Sequence, residues 1–184
     1  MTIVVRVSAE LDHLDARLLD LFSREPRIGV LEASRQLRVA RGTVQARLDR
    51  LLARGVIRSF APEVDPAALG YPVTAFVSVE ITQSVGHEAV AGLLVDIPEV
   101  LEAHTITGTA DMLLRVVARS NADLQRVIDR LVATAAIERA ASTIALQTQI
   151  PYRVLPLVHE AAAADPAGAP AGVRRRPPAP GAPG

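Results

Sequence analysis

The chain has 184 residues, of which 49% are hydrophobic and 22% charged, and its formal net charge is zero. This length and hydrophobic content suit one domain or two small domains with buried cores. Because cysteine is absent, the sequence excludes a disulfide framework, a thiolate metal site and a cysteine nucleophile. No run approaches the roughly 18 to 20 apolar residues that a bilayer requires, and residues 1–7 lack a cleavage-site pattern, so we expect a soluble cytoplasmic protein.

Basic residues are concentrated near the N-terminus. Residues 1–64 carry eleven arginines and eight acids, residues 65–160 carry six arginines and eleven acids, and residues 161–184 carry three arginines and one acid. Within the first region, the stretch 27–58 has eight arginines against two acids, a local net charge of +6. A basic stretch that keeps a helical spacing of apolar residues is typical of a folded nucleic-acid-binding domain. The opposite charges of the first two regions predict two domains with different functions.

The first predicted helix covers residues 12–24. Leucines at positions 11, 14, 18 and 21 recur at helical spacing, and Asp12 followed by Asp15 is an acidic variant of a helix-start signal. Pro26 ends the pattern. A helix therefore opens the basic region.

Two further helices follow in the same domain. Apolar spacing predicts a weaker helix around 31–37 and a third helix over about 44–52, which Gly55 ends as its C-cap. Three short helices with tight connections make a helix-turn-helix. The β-prone run 56–61 then predicts a small wing or a connecting strand.

In a helix-turn-helix the third helix lies in the major groove, so the side chains that point away from its apolar row are the DNA-binding candidates. Glutamine bonds an adenine edge and arginine a guanine edge, whereas Arg47, beside the buried row, is better placed to reach phosphate. The alternative is that these side chains are only the solvated face of a helix. Ala46 and Asp49 share this face, and the candidates are Arg41, Thr43, Gln45, Arg47 and Arg50.

The second predicted domain begins where the apolar spacing changes to alternate residues, from Tyr71 to Ile81, which indicates a strand. The patterns that follow predict a helix over 87–96, strands over 99–107 and 112–119, a helix capped by Asn121 and a last strand over 142–150. The order βαββαβ is ferredoxin-like and the fold class is α+β. Two helices cover one face of such a sheet, so the other face exposes an apolar surface that predicts a homodimer, with Phe76, Val100 and Ile106 as its candidates.

Five short segments of the sequence carry a family resemblance. They are Leu11-Asp12 with Asp15, Val44 to Leu51 with Gly55-Val56-Ile57, Asp65-Pro66 to Leu69-Gly70, Pro98-Glu99-Val100, and Gly108-Thr109-Ala110-Asp111. Together, in register over residues 10–155, they resemble the Lrp/AsnC family of feast/famine transcriptional regulators.

The resemblance implies a winged helix-turn-helix joined to a ligand-sensing βαββαβ domain. It also implies binding to double-stranded DNA, assembly of dimers into tetramers or octamers, and regulation by a small molecule, commonly an amino acid. Arg47 matches the arginine that is usual in the family's reading helix. Gly108 and Asp111 match its Gly-x-x-Asp turn beside the effector site.

The sequence departs from the family pattern near the reading helix. Ala40 stands where Ser or Thr often caps that helix, so Thr43 is an alternative cap of a shorter helix. Arg38 replaces the glycine of the turn, and Ala33-Ser34 replaces a Leu-Ala pair in the second helix. These changes leave the fold in place but make the operator sequence unpredictable.

The turn at residues 108–111 has chemistry that suits a free amino acid. A tight glycine turn aims backbone N–H groups at a carboxylate, and a nearby aspartate accepts an ammonium group. The alternative is that Gly108 and Asp111 only turn a hairpin. Thr105 adds a hydroxyl nearby, and the effector-binding candidates are Thr107, Gly108, Thr109 and Asp111.

No catalytic site is predicted. The four histidines lack metal-ligand spacing, there is no glycine-rich phosphate loop, and no serine lies in a nucleophile elbow, so we expect no metal, no cofactor and no enzyme activity. His104 on a strand is interpreted as structural.

The predicted domains are an N-terminal arm over 1–10, the DNA-binding domain over 11–61, a linker over 62–70, the effector domain over 71–155 and a disordered Ala/Pro/Gly-rich tail over 156–184. The tail contains Arg174-Arg175-Arg176, which could add weak phosphate attraction.

Three functions remain open at this point. The first is a ligand-responsive transcription factor. The second is an architectural DNA-wrapping protein that has no effector. The third is an enzyme, because sirohaem decarboxylases resemble the family in fold.

Overall fold

The computed structural model describes residues 11–82 and 84–164. The helices are α1 (His13–Arg24), α2 (Val30–Leu37), α3 (Arg41–Ala53), α4 (His87–Val95), α5 (Asn121–Val132) and α6 (Leu155–Ala163). The strands are β1 (Val73–Ile81), β2 (Val100–Thr105), β3 (Met112–Ala118) and β4 (Ile137–Ala145). Among the described residues these elements form two compact units, one from 11–61 together with 152–164, and one from 62–151. In the described part of the chain no helix is long and apolar enough to cross a membrane.

The predicted helix-start signal of α1 is confirmed, and it is a capping box. The side chain of Asp12 accepts hydrogen bonds from the backbone N–H groups of Leu14 and Asp15, and the Asp15 side chain accepts one from the Asp12 N–H. Each bond satisfies a donor that the first helical turn leaves unpaired. The acidic pair therefore fixes where the first helix begins.

The core of the first unit comes from one apolar stripe on each helix. Leu18 and Leu21 of α1, Ala33 and Leu37 of α2, and Val44, Leu48 and Leu51 of α3 are buried together. This packing confirms the three predicted helices and leaves the opposite face of α3 in solvent.

The connections around α3 correct two predictions. Helix α3 begins at Arg41 after Ala40, whose side chain cannot cap it, so the prediction that Thr43 caps a shorter helix is wrong. Residues 56–61 form no strand, because Val56 and Ile57 pack partly buried against the helical core and their N–H groups bond the carbonyl of Leu51 at the end of α3. Gly55, with φ 70°, provides the left-handed residue that this helix end requires.

Helix α6 corrects the prediction that a disordered tail begins at residue 156. Val158 and Ala162 are buried in the core of the first unit, where α6 packs on α1, and His159 Nε2 lies 3.1 Å from Asp20 Oδ1. Composition counted over the whole tail concealed an apolar face on its first turns. Residues 1–10 and 165–184, with the predicted arm and the triple arginine, lie outside the described residues.

The second unit has the predicted βαββαβ order. Its four strands are antiparallel in the order β2-β3-β1-β4. Ala75, Val77 and Val79 of β1 point to the core, where α4 contributes Val90 and Leu94 and α5 contributes Leu124, Val127 and Leu131. Both helices therefore cover the same face of the sheet, as predicted.

Several boundaries in the second unit differ from prediction. Strand β4 ends at Ala145. The predicted strand over 142–150 was displaced by five residues toward the C-terminus, since β1 pairs with residues from Ile137 to Ala145. Ser120, not Asn121, caps α5. The predicted linker contains a 3₁₀ turn, Ala67–Leu69, and clusters with the second unit.

The helix-free face of the sheet differs from prediction in one residue. Phe76 is 42% exposed on that face, as expected. Val100 instead packs against the core on the helix side, because it pairs with Val116, whose side chain is buried there. Ile106 is half-buried just beyond the end of β2.

Candidate nucleic-acid interface and effector site

The exposed face of α3 holds most of the predicted DNA-binding side chains. Val44, Leu48 and Leu51 point inward, and this spacing turns the residues between them to solvent. Four of the five candidates are exposed and Arg47 is half-buried; the exposed ones are Arg41, Thr43, Gln45 and Arg50. Gln45 Nε2 donates to Asp49 Oδ1 at 2.9 Å one turn along the helix. This bond holds the Gln45 amide on the solvent face.

Two arginines of α3 are tied to the start of α1. Arg47 Nη1 donates to both carboxylate oxygens of Asp12, at 2.7 and 2.6 Å, and to Asp15 Oδ1 at 2.8 Å. Arg50 Nη2 donates to Asp15 at 2.9 and 2.7 Å. The Asp15 side chain is only 1% exposed, whereas Arg47 is 23% and Arg50 44% exposed. We call these four residues the α1–α3 clasp.

Protonation within the clasp follows from burial and charge. Burial alone would raise the pKa of Asp12, but the hydrogen bonds and positive charge of Arg47, with the backbone N–H groups, outweigh burial and lower the pKa below its ordinary value. Burial also acts to lower the pKa of Arg47, and its bonds to Asp12 and Asp15 raise that pKa instead. Both groups are therefore held in their charged forms.

The clasp changes the interpretation of Arg47. The sequence predicted that its guanidinium reaches a DNA phosphate, but in the structure that group is bonded to two carboxylates inside the unit. These ion pairs within the unit explain why an arginine stands at position 47 without any contact to DNA. The sequence showed Asp15 only as a helix-start residue; its place on the buried stripe of α1 was the signal that it needs a cationic partner.

The second candidate site is the turn between β2 and β3. Gly108 has φ 124°, a backbone conformation that residues with a Cβ rarely adopt, and no atom outside residues 107–109 lies within 4 Å of where its Cβ would be. Thr107 and Thr109 are exposed on either side of it. The turn thus presents backbone N–H groups and hydroxyls to solvent around an open glycine.

Asp111 ends this turn and has a structural role. Its Oδ2 accepts a hydrogen bond from the N–H of Ile81 at 2.8 Å, its own N–H donates to the Val79 carbonyl, and its carbonyl accepts from Ile106. These bonds join the turn to the end of β1. Within the described residues Oδ1 accepts no hydrogen bond, so one oxygen of the half-buried carboxylate is available to a cation.

His104 lies away from any cluster that could support catalysis. Its ring is exposed, and Nε2 lies 3.6 Å from Glu102 on the same strand. Among the described residues no group of three or more His, Cys, Asp or Glu could hold a metal ion.

Comparison with known proteins identifies both units. Residues 11–58 match the family described as winged helix-turn-helix DNA-binding, and residues 74–155 match the Lrp/AsnC ligand binding domain. An HTH-type transcriptional regulator of Mycobacterium tuberculosis is 33% identical over 140 residues, 76% of this chain and 95% of that protein. The chain belongs to the Lrp/AsnC family of transcriptional regulators. Its members are regulators and not enzymes, so the sirohaem-decarboxylase alternative is wrong.

Two solved structures that are similar to this chain are complexes with an amino acid. A feast or famine regulatory protein of M. tuberculosis complexed with L-methionine has a TM-score of 0.68 and 27% identity, covering 77% of this chain and 96% of that one. A transcriptional regulator of Neisseria meningitidis in an L-Met complex has a TM-score of 0.71 and 25% identity, covering 82% and 99%. Some relatives of this chain therefore bind methionine.

Proposed function

We propose that this regulator binds specific double-stranded DNA sequences through α3 and that a free amino acid, bound at the turn 108–111, changes its DNA binding or its assembly. The observation that carries the DNA half is the exposed row of Arg41, Thr43 and Gln45 on a helix whose other face is buried. Such a row can reach base edges, while the packed core fixes its direction. Arg50 adds a positive charge to this face, because its side chain stays partly exposed while it is bonded to Asp15.

The amino-acid half is supported by the chemistry of the turn. The backbone around Gly108 offers donors for a carboxylate, and the available oxygen of Asp111 offers an acceptor for an ammonium group. The methionine complexes of two relatives indicate the class of ligand. We therefore propose an α-amino acid, bound by its two charged ends at Gly108 and Asp111, with Thr107 and Thr109 beside it.

Assembly is proposed from the helix-free face of the second unit. Phe76 is exposed there next to Arg115 and Thr143, its partners across β3 and β4. Burying this mixed face against a second copy gives a homodimer, and dimers then form a tetramer or octamer. The segment 62–151, which has its own core, should be at least dimeric by light scattering at about 10 to 100 μM, concentrations at which even weak contacts associate; a monomer there would contradict the proposal.

A thermal-shift screen of the full chain against the twenty amino acids tests the effector proposal. A ligand at about 100 times its Kd stabilises the folded state by about 2.7 kcal/mol, a shift of several degrees. The alternative of an architectural DNA-wrapping protein predicts no shift with any of them. Binding to the chromosome also agrees with the cytoplasmic location predicted from the sequence.

A further inference from the structure

A basic cleft lies at the turn that precedes α3 and is separate from the exposed row of that helix. The cleft, of about 930 Å³, is bounded by the start of α1 and the end of α2, and its polar side chains are those of Asp12, His13, Arg17, Gln36 and Arg38. It lies within the first unit. None of the residues predicted to bind DNA lines it.

Two arginines line this cleft. Arg17 Nη2 donates to the carbonyl of Leu37 at 3.4 Å, and Leu37 directly precedes Arg38. Both arginines are exposed, and neither forms an ion pair with any described residue. The one carboxylate of the cleft, Asp12, is already bonded to Arg47. Two positive charges that line one cleft, whose single carboxylate is already paired, attract a polyanion.

Arg38 has a backbone conformation that glycine adopts more easily than any residue with a side chain. Arg38 is the one non-glycine residue with positive φ in the described chain, at 58°. It occupies the turn between α2 and α3, where glycine adopts the left-handed conformation without a steric penalty. An arginine there places a charge only three residues before Arg41, which opens α3.

We propose that Arg17 and Arg38 form a second DNA contact, which binds a backbone phosphate next to the groove that α3 enters. This inference rests on the proposed DNA-binding function. The open cleft suits a phosphate of a long polymer, whereas a small ligand is usually enclosed. A phosphate contact fixes the position of the protein on the duplex and adds affinity without sequence information.

The experiment measures binding of the full chain to a mixed-sequence duplex by fluorescence anisotropy at about 50 to 200 mM salt. Arg38→Gly should reduce the slope of log affinity against log salt by about 0.9, and Arg17→Gln with Arg38→Gly by about 1.8. Arg126→Ala, which removes one exposed charge from the second unit, is the matched control and should leave the slope unchanged. Arg38→Gly should also raise the melting temperature by about 2 to 4 °C because it relieves the backbone at φ 58°.

A general loss of folding would weaken DNA binding and lower the melting temperature, whereas the proposal expects Arg38→Gly to reduce the salt slope and to raise the melting temperature. A more stable Arg38→Gly protein with an unchanged salt slope would overturn it. A second arm compares melting temperatures in phosphate and chloride at equal ionic strength; stabilisation by inorganic phosphate with no change of the DNA slope would identify a free-anion site and also overturn it. A wild-type chain that shows no salt-dependent binding at all would instead contradict the proposed function.

Discussion

Arg50 of α3 lies 2.7 Å from the buried carboxylate of Asp15 on α1. Arg47 bonds the same carboxylate at 2.8 Å, so two residues of the helix that we propose faces DNA are fixed to the start of the first helix. A buried carboxylate needs such partners, because an unpaired charge in the core is strongly unfavourable. The clasp therefore links the fold of the unit to the placement of α3.

Replacing Arg47 should reduce the stability of the fold more than it reduces the affinity for DNA. Arg47→Met keeps much of the side-chain stem but removes the bonds to Asp12 and Asp15, and we expect the free energy of unfolding to fall by about 2 to 3 kcal/mol. Urea unfolding of the full chain measures the change, with Arg24→Met, an exposed arginine of α1, as control. An unchanged stability together with a salt slope reduced by about 0.9 would restore the predicted phosphate role.

Asp12 should make the protein sensitive to acid. Its pKa is lower in the folded chain than in the unfolded chain, so its contribution is present above the unfolded value of about 4 and is lost as the pH falls below that toward the folded value. Asp12→Asn keeps the helix cap without the charge, and its stability should fall less steeply below about pH 4.

The matched variant for this test is Asp12→Ala, which removes both cap and charge. It should lose about 1 kcal/mol more than Asp12→Asn at every pH. If wild type and Asp12→Asn lost stability in parallel between about pH 4 and pH 2, the charge of Asp12 would not contribute.

Gln45 should determine sequence preference and not general affinity. Gln45→Ala is expected to weaken binding to a selected DNA site by about 1 to 3 kcal/mol and to leave binding to random duplex unchanged. Gln125 provides a close control, since it makes the same bond to an aspartate four residues on, at 2.8 Å, on α5 of the second unit. Equal losses on both DNAs would show that Gln45 makes no base contact.

Helix α6 should stabilise the DNA-binding unit. Val158→Ala removes two buried methyl groups from the core shared with α1, and we expect a loss of about 1 to 2 kcal/mol. Leu157→Ala on the exposed side of the same helix should change stability by less than about 0.5 kcal/mol. Calorimetry of the full chain compares the two, and equal melting temperatures would mean that α6 does not support this unit.

The periodic segments were predictable from sequence because their apolar residues report directly which face is buried. The row Val44, Leu48 and Leu51 predicted α3, and the alternation along Val73–Ile81 predicted β1. The acidic pair Asp12 and Asp15 predicted where α1 begins. These signals are local, and the structure retains them.

Features that depend on distant partners could not be predicted in this way. Arg47 and Arg50 bond to Asp15 although they lie 32 and 35 residues from it in the sequence. No local spacing rule predicts a contact over such a separation. Strand β4 was placed too late because its first half, Ile137 to Ala141, carries Glu138, Arg139 and two alanines, a composition that does not indicate a strand. Helix α6 was missed because only Val158 and Ala162 distinguish it from the Ala-rich sequence that follows.

We propose that an amino acid bound at Asp111 controls DNA binding. Asp111→Asn keeps an acceptor for the Ile81 N–H and removes the charge that the ammonium group requires, whereas Asp111→Ala also leaves that N–H unpaired, at a cost of about 1 to 3 kcal/mol. Asp111→Asn is therefore the sharper variant, and its apo DNA affinity should equal that of wild type.

The most direct measurement is an anisotropy titration of a duplex that the wild-type protein selects from a random library, with and without the amino acid found in the screen, starting from L-methionine. The ligand should change the wild-type Kd by about 5- to 150-fold, the usual range of coupling between two sites, and should leave the Kd of Asp111→Asn unchanged. An Asp111→Asn protein that responds at the wild-type ligand concentration and by the same factor would show that the amino acid does not act through Asp111.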